Sequence, residues 1–169
     1  MGQAGKSRSR RKEESMNMKI HRQFSVDYRE KDASIWIAAA HLCDDFHEIE
    51  IEVEVSLPEM VVHDARARFL RGPHEECRLV EQRLMQLRGL NINRDFRATV
   101  PSMFMGSEGC PNIFLLLAIA LPPLAGVYYP YAQKQRGLPV GNFDDCLAHT
   151  IRNQTSDTAI KPLHSTFGD

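Results

Sequence analysis

Glu48-Ile49-Glu50-Ile51-Glu52-Val53-Glu54-Val55 alternates acid and aliphatic without a break. Successive side chains of an extended strand point to opposite faces, so this period of two sets four carboxylates on one face and four aliphatics on the other. Such a segment is a half-buried strand of an antiparallel sheet, with a core on one side and water on the other. Leu57-Pro58-Glu59 makes a turn behind it, and residues 60–69, MVVHDARARF, return as a second strand with Arg66 and Arg68 on its polar face. Cross-strand ion pairs contribute only about 0.2–1 kcal/mol each. The ladder therefore reads first as a solvated face, and second as a surface on which Glu48, Glu50, Glu52 and Glu54 meet a basic protein partner.

Outward from the ladder, residues 18–29, MKIHRQFSVDYR, are rich in β-formers, and residues 30–33 form a turn into SIWIAAAHL at 34–42. These predict two further strands. Downstream, after Arg71-Gly72-Pro73, the period changes. Cys77, Val80, Leu84 and Leu87 recur at three- and four-residue steps and Gly89 stands as a C-terminal stop, which predicts an amphipathic helix over 74–88. Residues 91–105 form a mixed connection with room for a short helix. A stronger helix begins at Cys110-Pro111, where a first-turn proline loses no hydrogen bond. The predicted fold class is α+β: an N-terminal antiparallel sheet of three to five strands packed by C-terminal helices.

The ends differ from this body. Residues 1–17 are basic, Ser- and Gly-rich and nearly free of large apolar residues, which predicts a disordered arm. Residues 131–169 carry frequent Gly, Pro, Asn and Asp and weak periodicity, which predicts a loosely packed tail with one short helix around Cys146; residues 18–130 are left as a single domain. The whole chain is near neutral, with 21 Lys and Arg against 22 Asp and Glu. No aromatic residues are interleaved with the basic arm for base stacking, so no nucleic-acid partner is expected. No apolar segment follows the basic start, so the expected compartment is the cytoplasm. Residues 113–129 lack charge, but Pro122-Pro123 interrupts them, and a core helix ending or kinking there is expected in place of a membrane span.

In a reducing compartment the four cysteines are thiols, ligands or reactive groups before they are disulfides. Cys43 precedes the acidic turn Asp44-Asp45, Cys77 lies in the first turn of one predicted helix, and Cys110 opens another. Free N–H groups at a helix start favour thiolate, and with it metal affinity and reactivity. Buried cysteine also packs as a small hydrophobe, and Cys77 lies on the apolar side of its own helix. Histidines 21, 41, 47, 63 and 74 are scattered through the strand region, and no Walker loop, G-x-S-x-G or G-x-G-x-x-G is present. Gly106-Ser107-Glu108-Gly109-Cys110 is only a loose match to an anion-binding glycine loop.

Two families are resembled. Tyr28-Arg29, Asp32, Ile35-Trp36-Ile37, Cys77, Leu87-Arg88-Gly89-Leu90-Asn91-Ile92 and Gly109-Cys110 resemble the bacterial family called domain of unknown function 2889. Ala33 stands here for that family's glycine, and Pro111-Asn112 replace its Thr-His, removing a histidine that would serve as ligand or base. The order Cys43-Asp44-Asp45, ladder, Val62-His63-Asp64-Ala65 through Phe69, Cys77 and Cys110 is also similar to the iron–sulfur scaffold domain of the NifU and IscU type. That likeness implies metal ligation by Cys43, Cys77 and Cys110, with Asp45 as the aspartate that labilises a cluster. Gly is absent between Cys43 and Asp45, and Gly109 stands in place of a histidine.

The expected function is accordingly a cysteine-based metal, iron–sulfur or sulfur-carrying scaffold, with zinc or an iron–sulfur cluster as cofactor. The alternative is a non-catalytic protein-binding module with structural cysteines. A third reading makes Cys77 or Cys110 a nucleophile, though no base stands beside either in the sequence.

Overall fold

A computed structural model of the chain describes residues 19–138. The basic arm, the tail beyond residue 138 and the helix expected around Cys146 lie outside the described residues. Four strands, β1 (Arg22–Glu30), β2 (Ile35–Asp44), β3 (Glu48–Ser56) and β4 (Val61–Arg71), form one antiparallel sheet in the order β1-β2-β3-β4. Helices follow, and the α+β expectation is met. The first hairpin closes on Asp32, whose carboxylate accepts the Ser34 and Ile35 N–H groups, each at 2.8 Å. An aspartate that bonds backbone two and three residues ahead shapes the turn by itself.

The ladder has the predicted polarity. Ile49, Ile51, Val53 and Val55 are buried. Their neighbours Glu48, Glu50, Glu52 and Glu54 stand opposite Cys43, His41, Ala39 and Ile37 on β2, and opposite Arg71, Arg68, Arg66 and Asp64 on β4. Register shifts at Glu48/Ile49 and Glu54/Val55 bracket the ladder. Both keep the two-residue alternation in step between them.

Residues Glu75–Leu87 form a 3₁₀ helix where an α-helix was expected. The tighter winding rises about 2.0 Å per residue against about 1.5 Å, so the same residues reach further along a neighbour. That neighbour is β4: the Glu81 carboxylate accepts the Phe69 N–H at 2.7 Å, and Leu84 and Leu87 are buried. Gly89 stops the segment with φ of +83°, and residues 89–92 then bond to the start of β4, through Gly89 N–H to Val62 O at 2.8 Å and Ile92 N–H to Met60 O at 2.8 Å. Strand β4, one edge of the sheet, is thereby covered.

Helix α1 (Phe96–Phe104) occupies the mixed connection and α2 (Pro111–Pro123) starts at the proline after Cys110, as read from the sequence. At Pro122-Pro123 the α-helix ends, as expected, but the winding goes on. A π-helical turn over Leu124–Tyr128 widens the helix past the prolines, which lack N–H donors, and α3 (Tyr129–Gln135) continues it. The expected domain limit at residue 130 falls inside α3. Pro111–Gln135 is a run of 25 residues, long and apolar enough to cross a membrane by length and composition. Its Ile113, Leu116, Leu117, Ala120, Leu121 and Leu124 are fully buried in one core cluster with the aliphatic face of the sheet. Tyr28 ties β1 to this helix by donating its hydroxyl to the Ala120 carbonyl at 2.8 Å.

Candidate functional site

The helices all lie on one side of the sheet, and among the described residues no element covers the other. Odd-numbered residues of β2 share this open face with the ladder, and the arginines of β4 flank it. Acid and base alternate across it. Arg29 of β1 reaches Glu52 at 3.1 Å and Arg66 of β4 reaches it from the other side; Arg68 lies 3.6 Å from Glu50 and Arg71 4.0 Å from Glu48. Lys31 donates to both Glu54 oxygens at 2.8 Å, and His63 stands 3.4 Å from the same carboxylate. Glu54 is the one ladder acid that is buried, and the hydrogen bond from Lys31 holds its carboxyl below the usual range despite that burial. The other pairs are solvent-exposed and contribute little to stability. They leave the face charged, neutral in sum and available.

At one end of this face lies the Cys43-Asp44-Asp45 corner. Asp45, the residue singled out by sequence, is exposed. Asp44 is the one at work: its side chain is 2 % exposed and accepts the N–H groups of Phe46 at 2.8 Å and His47 at 2.6 Å, with Arg22 at 2.7 Å and the His47 ring nitrogen at 3.1 Å. Burial by itself raises its carboxyl, but those donors outweigh it and hold the group well below the ordinary carboxylate range. The corner is also clasped from β4, because Arg71 donates to the Asp44 carbonyl at 2.9 Å and the Asp45 carbonyl at 3.1 Å. The same guanidinium passes 3.6 Å from the Cys43 sulfur. An aspartate followed by a tight turn into a strand signals this arrangement, and Asp44 fits it as well as Asp45 does in the sequence.

Cys77 lies beyond Arg71, in the first turn of the 3₁₀ segment. It lines an open cleft of about 570 Å³ with Arg71, Gly72, His74 and Arg78. Gly72 permits that approach, since a Cβ there would stand 3.3 Å from the Cys77 Cβ. Cys110 caps α2 without a side-chain hydrogen bond. Cys77 and Cys110 pack against the core cluster, whereas Cys43 faces outward with the ladder. Gly109 has a packing role: a Cβ on it would meet the Phe104 carbonyl oxygen at 2.2 Å, so glycine is required to close the chain end of α1 onto α2.

A shared metal centre requires thiolates within about 4 Å of one another, given Zn–S bonds of roughly 2.3 Å. Among the described residues no group of three Cys, His, Asp or Glu side chains is placed to hold a metal ion. Of the expected ligand set, Cys77 and Cys110 pack against the core cluster, Cys43 faces outward with the ladder and Asp45 is exposed at the corner. The likeness to NifU and IscU scaffolds has no further support.

The family whose model matches the chain is described as protein of unknown function (DUF2889), and the match spans residues 7–120, about two thirds of the length. No curated protein and no solved structure matches.

Proposed function

The chain belongs to the DUF2889 family, and from that position we propose that it is a non-catalytic protein-interaction module that docks partners on the open face of its sheet. The observation that carries this is a whole sheet face, uncovered among the described residues, on which Glu48, Glu50 and Glu52 alternate with Arg29, Arg66 and Arg68. A neutral mosaic of this kind gives register and partner choice through charge matching, more than raw affinity. Its own ion pairs are weak enough to exchange for intermolecular ones. Cys43 and His41 add softer positions between the carboxylates and guanidiniums.

The partner that fits is a polar protein surface with interleaved charges of its own, and its binding is salt-sensitive.

The test uses the full chain as bait, followed by titration of the purified partner against wild type, Glu50→Lys and Arg68→Glu. Each reversal is expected to weaken binding by about tenfold at low salt, with thermal stability unchanged, since both side chains are exposed. Affinity indifferent to both reversals overturns the proposal. Chain purified without chelator provides a second readout, and stoichiometric zinc or iron lost together in Cys43→Ala, Cys77→Ala and Cys110→Ala would restore the scaffold function in its place.

A further inference from the structure

The two edges of the sheet are treated differently. Strand β4 is covered by the 3₁₀ segment and by residues 89–92, whereas among the described residues β1 pairs only with β2. β1 runs nine residues with neither proline nor register shift. A long flat edge with free backbone donors and acceptors is a template for another strand unless something blunts it.

The side chains of β1 name the strand that fits. We propose that β1 is a self-association edge, on which the β1 of a second copy of this chain pairs antiparallel about a two-fold axis at Val26. A two-fold perpendicular to a sheet must set residues of one face opposite each other, so the axis falls on a residue. With Val26 on the axis, Arg22 stands opposite Glu30, Gln23 opposite Arg29, Phe24 opposite Tyr28 and Ser25 opposite Asp27, each twice. All nine residues are used. Moving the axis to Asp27 sets that carboxylate against its own copy and Phe24 against Glu30. Moving it to Ser25 leaves Arg29 and Glu30 opposite His21 and Ile20.

The surroundings extend the match. Arg22 is already paired with Asp44 and Glu30 with Arg136, so the second copy completes a row of alternating charges, Asp44, Arg22, Glu30 and Arg136, at each end of the seam. On the helix side Phe24 is 42 % exposed although its strand faces the core there. Tyr128, also exposed, stacks on Tyr28 with ring centroids 4.5 Å apart and enlarges that apolar strip. A partner strand carrying its own Phe24 and Tyr28 covers both, as aromatic cross-strand pairs do.

Sedimentation of the full chain across micromolar to millimolar concentrations is the test, with Ser25 as the lever because it is exposed and faces away from the core. Wild type is expected to sediment toward twice the 19.3 kDa chain mass as concentration rises. Ser25→Asp places a carboxylate opposite Asp27 of the other copy at two symmetric points, and is expected to weaken the dimer about two- to thirty-fold. Ser25→Lys and Gln23→Glu create opposite-charge pairs at symmetric points and are expected to tighten it by a similar factor. A monomer at every concentration overturns the proposal. So does a dimer whose affinity ignores the charge at 25, or one in which a segment of the chain outside residues 19–138 or a foreign peptide proves to occupy β1.

Discussion

Replacing Asp44 by alanine tests how the β2–β3 corner is held. The carboxylate is the acceptor for two backbone N–H groups, Phe46 at 2.8 Å and His47 at 2.6 Å, and it is paired with Arg22. Hydrogen bonds to a charged acceptor contribute about 1.5–3 kcal/mol each, but Phe46 is exposed and water replaces part of what its N–H loses. Arg22 is more than a third exposed, so its pair adds no more than about 1 kcal/mol. The expected cost of Asp44→Ala is therefore about 2–4 kcal/mol, read in urea denaturation as a lower midpoint at constant slope. Asp45→Ala, at an exposed side chain one residue on, is expected to stay within about 0.5 kcal/mol of wild type. The carboxyl of Asp44 is depressed in the folded chain, so its contribution is whole above the unfolded value near pH 4 and is lost as pH falls through the folded one. The gap between wild type and Asp44→Ala should accordingly narrow below about pH 4. Equal losses at 44 and 45, or a gap that stays constant into acid, would refute this account of the corner.

Three further substitutions probe the packing. Gly109→Ala forces a Cβ onto the Phe104 carbonyl and is expected to destabilise by about 1–3 kcal/mol or more in thermal denaturation, with Gly106→Ala, where a Cβ meets nothing within 4 Å but φ is +93°, costing less. Tyr28→Phe removes the hydroxyl bonded to Ala120 and is expected to cost about 1 kcal/mol near neutral pH. Burial, and then Tyr128, push the Tyr28 phenol from 10.0 up to about 12, so wild type loses this contribution as pH rises between those values. Absorbance titration should show a tyrosinate step at about pH 12 that Tyr28→Phe abolishes.

The sheet was legible because its signal is local. Glu48 through Val55 carry their burial in alternation alone, and the turns at Asp32 and Leu57-Pro58 punctuate strands that needed no distant information. Burial of Leu84 and Leu87, and partial burial of Cys77 and Val80, was visible as well, but the hydrogen-bonding pattern of that segment was not. Apolar steps of three and four residues suit either winding, and the 3₁₀ form accompanies docking along β4, as in the Glu81 to Phe69 bond. Pro122-Pro123 marked the end of α2 but not the winding beyond it, for a related reason. Proline chemistry predicts a break, whereas burial of Leu121 and Leu124 on either side keeps the helix on the sheet through a π turn.

The site was less legible because convergence is a long-range property. Helix starts told where Cys77 and Cys110 sit on their own elements, and nothing local told which face of the sheet each would meet. Parity on β2 did hold a clue: Ala38, Ala40 and Leu42 are the core positions, which turns Cys43 outward toward Glu48. The same parity turns Asp44 inward and leaves Asp45 to the turn, a distinction that composition by itself does not make.

The open face and the β1 edge act on each other. Gln23, Ser25, Asp27 and Arg29 lie on the same side of the sheet as the ladder, so pairing at β1 joins two open faces into one eight-stranded surface with a two-fold axis. A partner with two copies of its own binding surface then gains from effective concentration without any new contact. Substitutions at Glu50 or Arg68 act on each docking contact, in monomer and dimer alike. A change at Phe24, on the edge but on the helix side of the sheet, leaves the single contact intact and removes the linkage between two of them. Loss of avidity toward a bivalent partner with unchanged affinity toward a monovalent one is therefore the signature that separates the edge from the face.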